Sequence, residues 1–326
     1  MGLSEVNLHD WRGAATVVPP YLDIRSIDEN DPTWKWAGFE NTRVWRCGNA
    51  GSVATVLIEK PDRGNFLPIL DGAFDLQYSP LLEYVQGAGR ILFCQLDVTG
   101  RTESEPAADA LCKNLLHYLE TVKPAAVRAV DSAGDARTSD LLKQLGVFAE
   151  GAEKLGDAGL LVLGPGGALV DLRHRVENGL DVLCLGLSEA EVQRAFPGLL
   201  KLKAGRTVSS MLAGFDNPLL AGISNSELHW RTQPTLAAIQ DNDGSDAALR
   251  VMPIGRGVVI FCQAAPWMFD YQKQPYLRTT YRRSTFLVSR LLHNLGAAGS
   301  QAFAGKESLY LQTPEAGDDP YRYYRW

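Results

Sequence analysis

The sequence offers no arrangement built to hold a metal. No two of its five cysteines (Cys47, Cys94, Cys112, Cys184, Cys262) have metal-ligand spacing, so neither a metal nor another cofactor is expected. Five is an odd number and most lie in apolar runs, so they read as reduced core thiols rather than a disulfide framework. No basic run exceeds the neighbourhood of Tyr281-Arg282-Arg283 in a chain of net charge -6, which argues against a nucleic-acid surface. No apolar run reaches membrane-spanning length, and Met1–Arg12 lacks the apolar core of a signal peptide. A soluble chain without a membrane partner is therefore expected, its compartment left open. Phosphate motifs are absent too: the one glycine-dense turn has no Gly-Lys-Ser/Thr after it and does not match the dinucleotide fingerprint.

What is present is an α/β pattern. At 326 residues and 45% hydrophobic, the chain can bury one large core or two ordinary ones. Ala158 to Ala190 organises it. Leu160 to Leu163 reads as a buried strand, Gly164-Pro165-Gly166-Gly167 as a turn, the stretch to about Asn178 as a helix, and Val182 to Leu185 as a second buried strand broken at Gly186. Around it stand a strand at Ala126–Asp131, helices at Thr138–Leu145, Glu189–Phe196 and Ser284–Leu295, and a strand pair at Ala247–Pro253 and Val258–Gln263. That is a doubly wound, mostly parallel sheet. Upstream, Ala54–Glu59, Phe66–Asp71 and Arg90–Leu96 read as strands, the last of them buried, and Glu105 to Tyr118 as an amphipathic helix. The opening residues carry Trp11, Trp34, Trp36 and Trp45 in a loop-rich context and need something to pack on.

One unit occurs twice. Gly87-Ala88-Gly89-Arg90-Ile91-Leu92-Phe93-Cys94-Gln95 returns 168 residues later as Gly255-Arg256-Gly257-Val258-Val259-Ile260-Phe261-Cys262-Gln263. Leu115-Leu116-His117-Tyr118-Leu119 returns 176 residues later as Leu291-Leu292-His293-Asn294-Leu295. Each copy is expected to close its own α/β domain, the first without the earlier strands that the second possesses, as in a portion of a longer protein. The expected division is 1–122, an incomplete α/β unit with the tryptophan-rich segment; 123–298, a complete α/β domain; and 299–326, a docked aromatic tail.

Ligands of such sheets usually bind beyond the carboxyl ends of the strands. Cys184, before Leu185 and Gly186, is therefore a candidate nucleophile at a strand-to-helix elbow, where a helix N-terminus lowers a thiol's pKa; the alternative is a core cysteine at a strand end. Gly164, Gly166 and Gly167, with Gly186 and Ser188, are the candidate ligand or oxyanion-binding set, or else a plain connection that needs no ligand. Gln95 and Gln263, placed alike in the two copies, suit hydrogen bonds across the sheet end or contact with a ligand, and their repetition argues for the architectural role. His117 and His293, also equivalent, suit a structural ring N–H to a carbonyl. Trp267, Phe269, Tyr271 and Tyr276 suit either stacking on a sugar or interface packing.

The order strand, Gly-Pro-Gly-Gly turn, helix, strand, Cys-Leu-Gly resembles the class I glutamine amidotransferase-like fold, a flavodoxin-like architecture. Active members carry a Gly-x-Cys-x-Gly elbow and a late His/Glu pair; here Cys184 and Gly186 match, Val182 replaces the first glycine, and no such pair is found. The phrases HDWRGAATVVPPYL, RVWRCGN, PILDGAFDLQYSPLLEY, ILFCQLDVTGRTE, NPLLAGISNSELHW and DDPYRYYRW resemble the C-terminal region of large bacterial glycoside hydrolases related to family two. That resemblance implies an accessory module whose partners are the catalytic domain of a glycoside hydrolase or further copies of itself, with carbohydrate as the ligand class. The other readings are a stand-alone Cys184-dependent hydrolase or amidotransferase-like enzyme, and a small-ligand or sugar-binding module.

Overall fold

A computed structural model of the chain describes residues 3–4, 35–36, 39–40, 54, 57–72, 76–86, 89–96, 98–103, 105–122, 127–147, 155–206, 209–210, 217–240 and 246–297. It forms two compact units: Met1–Lys60 with Phe66–Pro124, and Pro61–Asn65 with Ala125–Trp326. The expected tail at 299–326 lies outside the described residues, as does nearly all of the tryptophan-rich opening.

In the first unit the strands are β1 (Leu3–Ser4), β2 (Lys35–Trp36), β3 (Phe39–Glu40), β4 (Leu57–Glu59), β5 (Phe66–Gly72), β6 (Tyr78–Gln86) and β7 (Gly89–Cys94), followed by helix α1 (Pro106–Thr121). The long strand β6 is the centre. It pairs with β5 along one edge, and with β4 and then β7 along the other. Ile58, Phe66, Leu82 and Tyr84 form a small core, with the rings of Phe66 and Tyr84 stacked at 4.6 Å. Proline at the first position of α1 costs the helix nothing, because that N–H has no intrahelical acceptor. Near its other end, Tyr118 donates from its hydroxyl to Glu83 Oε2 at 2.6 Å, and Arg90 pairs with Glu83 Oε1 at 2.5 Å. Glu83 is buried, so this triad fixes α1 to β6 and β7 with few geometric alternatives. The expectation of a buried strand at Arg90–Leu96 needs correction. Every described pairing of this unit is antiparallel, and β7 is not a buried strand, with Ile91 47% exposed.

The second unit contains β8 (Val130–Ala133), α2 (Ala136–Leu145), β9 (Leu160–Leu163), α3 (Leu172–Asn178), β10 (Asp181–Leu185), α4 (Glu189–Ala195), β11 (Leu202–Arg206), β12 (Thr235–Gln240), β13 (Asp246–Ala247), β14 (Leu249–Ile254), β15 (Gly257–Cys262) and α5 (Arg278–Asn294). Its five-stranded sheet has the order β8-β9-β10-β15-β14, parallel except for β14. The chain is thus α/β. Successive residues of a strand point to opposite faces, and β9, β10 and β15 are apolar on both. Leu160, Val162, Leu183 and Ile260 join residues of α2 and α5 in one core; Leu161, Val182, Cys184 and Phe261 join residues of α3 and α4 in another. Two caps set helix ends: Gly146 closes α2 in the left-handed region at φ 70°, and Asp135 opens it by accepting from Arg137 N. The glycines flanking Arg256 answer to a close approach. A Cβ on Gly255 would stand 2.6 Å from Glu177 Cα, and one on Gly257 2.3 Å from the Leu180 oxygen. Strands β11, β12 and β13 form a separate antiparallel sheet.

Candidate functional site

The carboxyl ends of β8, β9, β10 and β15 bring together the Gly164–Gly167 turn, the Gly186–Ser188 turn and the segment after Cys262. Every amide of the expected anion cradle for which a bond is found is engaged within the protein. Gly164 N–H donates to the Ala133 carbonyl at 2.8 Å, Gly167 N–H to the Gly164 carbonyl at 3.0 Å, and Gly186 N–H to the Cys262 carbonyl at 2.9 Å. Gly166 N–H donates to Glu191 Oε1 at 2.7 Å, while Ser188 gives Glu191 Oε2 its backbone N–H at 2.8 Å and its hydroxyl at 2.6 Å. Burial raises the pKa of Glu191, but those bonds outweigh it and hold the carboxyl below its ordinary range. The carboxylate does for Gly166 and Ser188 what a bound anion would do.

Packing closes the same turn from beneath. A Cβ on Gly164 would meet Thr138, and one on Gly167 would lie 2.4 Å from the Ala133 oxygen, so the turn lies directly on the ends of α2 and β8. Gly166 differs, with open space around it and a φ of 75° that glycine adopts without strain.

Cys184 does not stand on an elbow. It lies inside β10, completely buried in the core with α3 and α4, and burial pushes its thiol pKa up. An activated thiol needs the opposite shift and a base within hydrogen-bond reach. Among the described histidines, His117, His174 and His229 are exposed, and His293 is buried on α5, whose residues pack in the other core. His293 Nδ1–H donates to the Ala297 carbonyl at 3.1 Å, the structural bond its place in the repeat suggests. The turn comes later, at Gly186, whose φ is 58°.

The aromatic set is divided. Phe269 is fully buried and stacks on Trp230 at 6.3 Å, so it is a core residue and not a contact for sugar. Trp267 is half-buried with Arg137 over its ring at 5.6 Å, and a Cβ on Gly186 would be 3.5 Å from its Cζ2. It covers the end of β10. Tyr271 rests against Tyr281 at 4.7 Å with Arg278 over its ring; Tyr276 is exposed.

Two groups at this end deserve a role. Gln263, suggested by its repetition, is buried and clamps the chain after β10: its Oε1 accepts from Leu187 N at 3.1 Å and its Nε2 donates to the carbonyls of Leu187 at 3.0 Å and Ala237 at 2.7 Å. Glu191 was not singled out in the sequence, although Ser188-x-x-Glu191 has the Ser-x-x-Glu form of a capping box, which the structure forms on α4. Away from the strand ends, a cleft of about 640 Å³ lies between α4, β12 and β14, lined by Glu189, Gln193, Lys201, Gln240, Arg250 and Met252 among others. Glu189 already accepts from Gln193 Nε2 and Leu202 N–H. Among the described residues no group of three or more His, Cys, Asp or Glu could hold a metal ion, and no helix is long and apolar enough to cross a membrane. No known family model matches the chain, and no curated protein matches it either.

Proposed function

We propose that this chain is a non-catalytic accessory module of a carbohydrate-active enzyme of the glycoside hydrolase class, serving domain packing, oligomer assembly or glycan contact. Its second unit is a doubly wound domain of the glutamine amidotransferase type that keeps the architecture without the chemistry. The observation that carries the loss of chemistry is Glu191: its carboxylate occupies Gly166 N–H and Ser188, the donors that an anionic ligand or oxyanion would need. The enclosed thiol of Cys184 supports the same reading. Helices α2 and α5 in one core and α3 and α4 in the other support the doubly wound architecture. The tie to glycoside hydrolases rests on the quoted sequence phrases, and makes the enzyme's catalytic domain or a further copy the partner.

Alkylation tests the loss of chemistry. Iodoacetamide added to the native protein is expected to label half-exposed Cys94 and Cys112 and to spare Cys184 and Cys262 until the protein unfolds. Labelling of Cys184 with an apparent pKa well below the free-thiol value of about 8.5 would instead establish a cysteine-dependent enzyme. The cleft between α4, β12 and β14 favours a second reading, a small polar ligand such as a sugar. Calorimetric titration with mono- and oligosaccharides decides it: heat of binding that disappears in Lys201→Ala assigns the cleft, and no heat removes the reading.

A further inference from the structure

We infer that the outer edge of β7, together with the exposed face of α1, is a docking surface for an apolar strand that runs parallel to β7 and for a helix that lies on α1 as α2 lies against α5, both carried by the enzyme that this module serves. The inference rests on the accessory-module reading and names the surface through which it acts. Its basis is the internal repeat. The same motif is covered in one unit and, among the described residues, uncovered in the other.

In the second unit β15 lies between two strands. β14 pairs with it antiparallel, and β10 runs parallel along the opposite edge, with Val182 opposite Val259 and Leu183 opposite Ile260. Alternate residues of β15 direct their backbone groups to that edge, as the Cys262 carbonyl does when it accepts Gly186 N–H. β7 repeats the arrangement on one side alone. It pairs with β6 as β15 pairs with β14, and among the described residues no strand takes its other edge. Leu92 and Cys94 stand where Ile260 and Cys262 stand, so their backbone groups face that vacant edge.

Side chains repeat the contrast. Val259 is fully buried, whereas its counterpart Ile91 is 47% exposed. Leu292 and Leu295 are buried in one core with Val130, Leu141 and Leu145 of the strand–helix pair β8 and α2; their counterparts Leu116 and Leu119 on α1 are 69% and 42% exposed. One face of one helix thus has a cover in the second unit and none among the described residues of the first. An apolar edge strand left open is a template for pairing unless charge, proline or a bulge blunts it. The charge on β7, Arg90, is turned to Glu83. The repeat also states what fits. The occupant is a strand apolar on both faces like Val182–Leu185, parallel to β7, and a helix placed on α1 as α2 is placed on α5, since α4, which directly follows β10, packs in the other core.

The test uses the whole chain and, as probe, a synthetic peptide of residues 179–188, the chain's own β10, extended with lysines at both ends for solubility. Hydrogen–deuterium exchange read by mass spectrometry is expected to slow several-fold in the peptides containing Leu92 and Cys94 when the probe is added, and not with a scrambled probe. Leu92→Pro removes an outward N–H without removing a bond to β6, and is expected to abolish the protection. Leu116→Glu, at an exposed position that folding does not depend on, is expected to weaken it. No slowing at saturating probe overturns the inference. Protection that rises with protein concentration and without probe also overturns it, because the occupant is then a second copy. A reactive Cys184 with protection intact would remove the accessory-module reading alone, and an inert Cys184 without protection would remove the docking surface alone.

Discussion

Replacing Glu191 separates an internal clamp from an empty ligand site. The carboxylate accepts three bonds, two from Ser188 and one from Gly166, and completes the cap of α4. A hydrogen bond to a charged group is worth about 1.5–3 kcal/mol when enclosed and less when water competes, and a helix cap about 1 kcal/mol. Because Glu191 is only half-buried, Glu191→Ala is expected to cost about 2 kcal/mol in total, and Glu191→Gln, which keeps the shape and loses the charge, about 1 kcal/mol. For a domain of this size the larger loss lowers Tm by roughly 4–8 °C. The dependence on pH is specific to the carboxylate. Its folded pKa is lowered, so its contribution is fully present above the unfolded value of about 4.3 and is lost as pH falls through the folded value. Urea unfolding followed by far-ultraviolet circular dichroism should therefore show a gap between wild type and Glu191→Gln at pH 7 that narrows in acid, as pH falls below the unfolded value of about 4.3 and through the lowered folded one. A gap that is absent at pH 7, or unchanged in acid, would refute the clamp.

Three further outcomes are expected. Gly167→Ala should destabilise by about 1–3 kcal/mol, because its Cβ meets the backbone oxygen of Ala133, whereas Gly166→Ala should cost about 1 kcal/mol of backbone strain; equal urea midpoints for the two would contradict the packing. Burial, and then the charge of Arg290, push the His293 pKa down to about 3, so the unfolded chain takes up a proton that the native state refuses. Stability should accordingly fall by about 1.4 kcal/mol per pH unit as pH drops from about 6 toward 3, and His293→Gln should flatten that slope; an unaltered slope would refute the assignment. Burial first, and the bond to Glu83 next, push the Tyr118 pKa up to about 12, so the stability it lends is fully present below pH ~10 and is lost as pH rises from there through about 12. Tyr118→Phe should cost about 1 kcal/mol at neutral pH and remove one late-ionising tyrosine from an absorbance titration; a titration identical to wild type would place the shifted phenol elsewhere.

The strands of the second unit were legible because they are short apolar runs closed by glycine. Leu160–Leu163 and the break at Gly186 lie where the sequence puts them. Helix α5 begins at Arg278, six residues before the expected Ser284, since buried Arg282 and Arg283 look like a solvated face when only their charge is read. Pairing direction was not legible for the first unit. An apolar run after a glycine turn suits a hairpin as well as a parallel sheet, and β7 and β15 share one motif with opposite burial, because the neighbour and not the strand decides exposure. The site suffered from the same two-sidedness. In β10 every residue is apolar or buried, so local sequence does not tell whether Cys184 faces a cleft or a core. The clamp of Glu191 was readable in Ser188-x-x-Glu191, but its second ligand, Gly166, stands 25 residues away and only the fold brings it near.

That two-sidedness raises the question of how β10 finds its alignment. An alternating strand aligns itself, since a slip of one residue turns its apolar side to water, but a strand apolar on both sides pays no such penalty. Here the information sits at the strand's ends. Asp181 accepts from Val258 N–H at 2.9 Å and pairs with Arg128 at 2.6 Å; at the other end Gly186 N–H finds the Cys262 carbonyl, and Gln263 holds both backbone groups of Leu187. A slip would leave Asp181 and Gln263 buried without these partners. The greasy middle of the sheet supplies cohesion, and a few polar groups at its rim serve as the alignment marks.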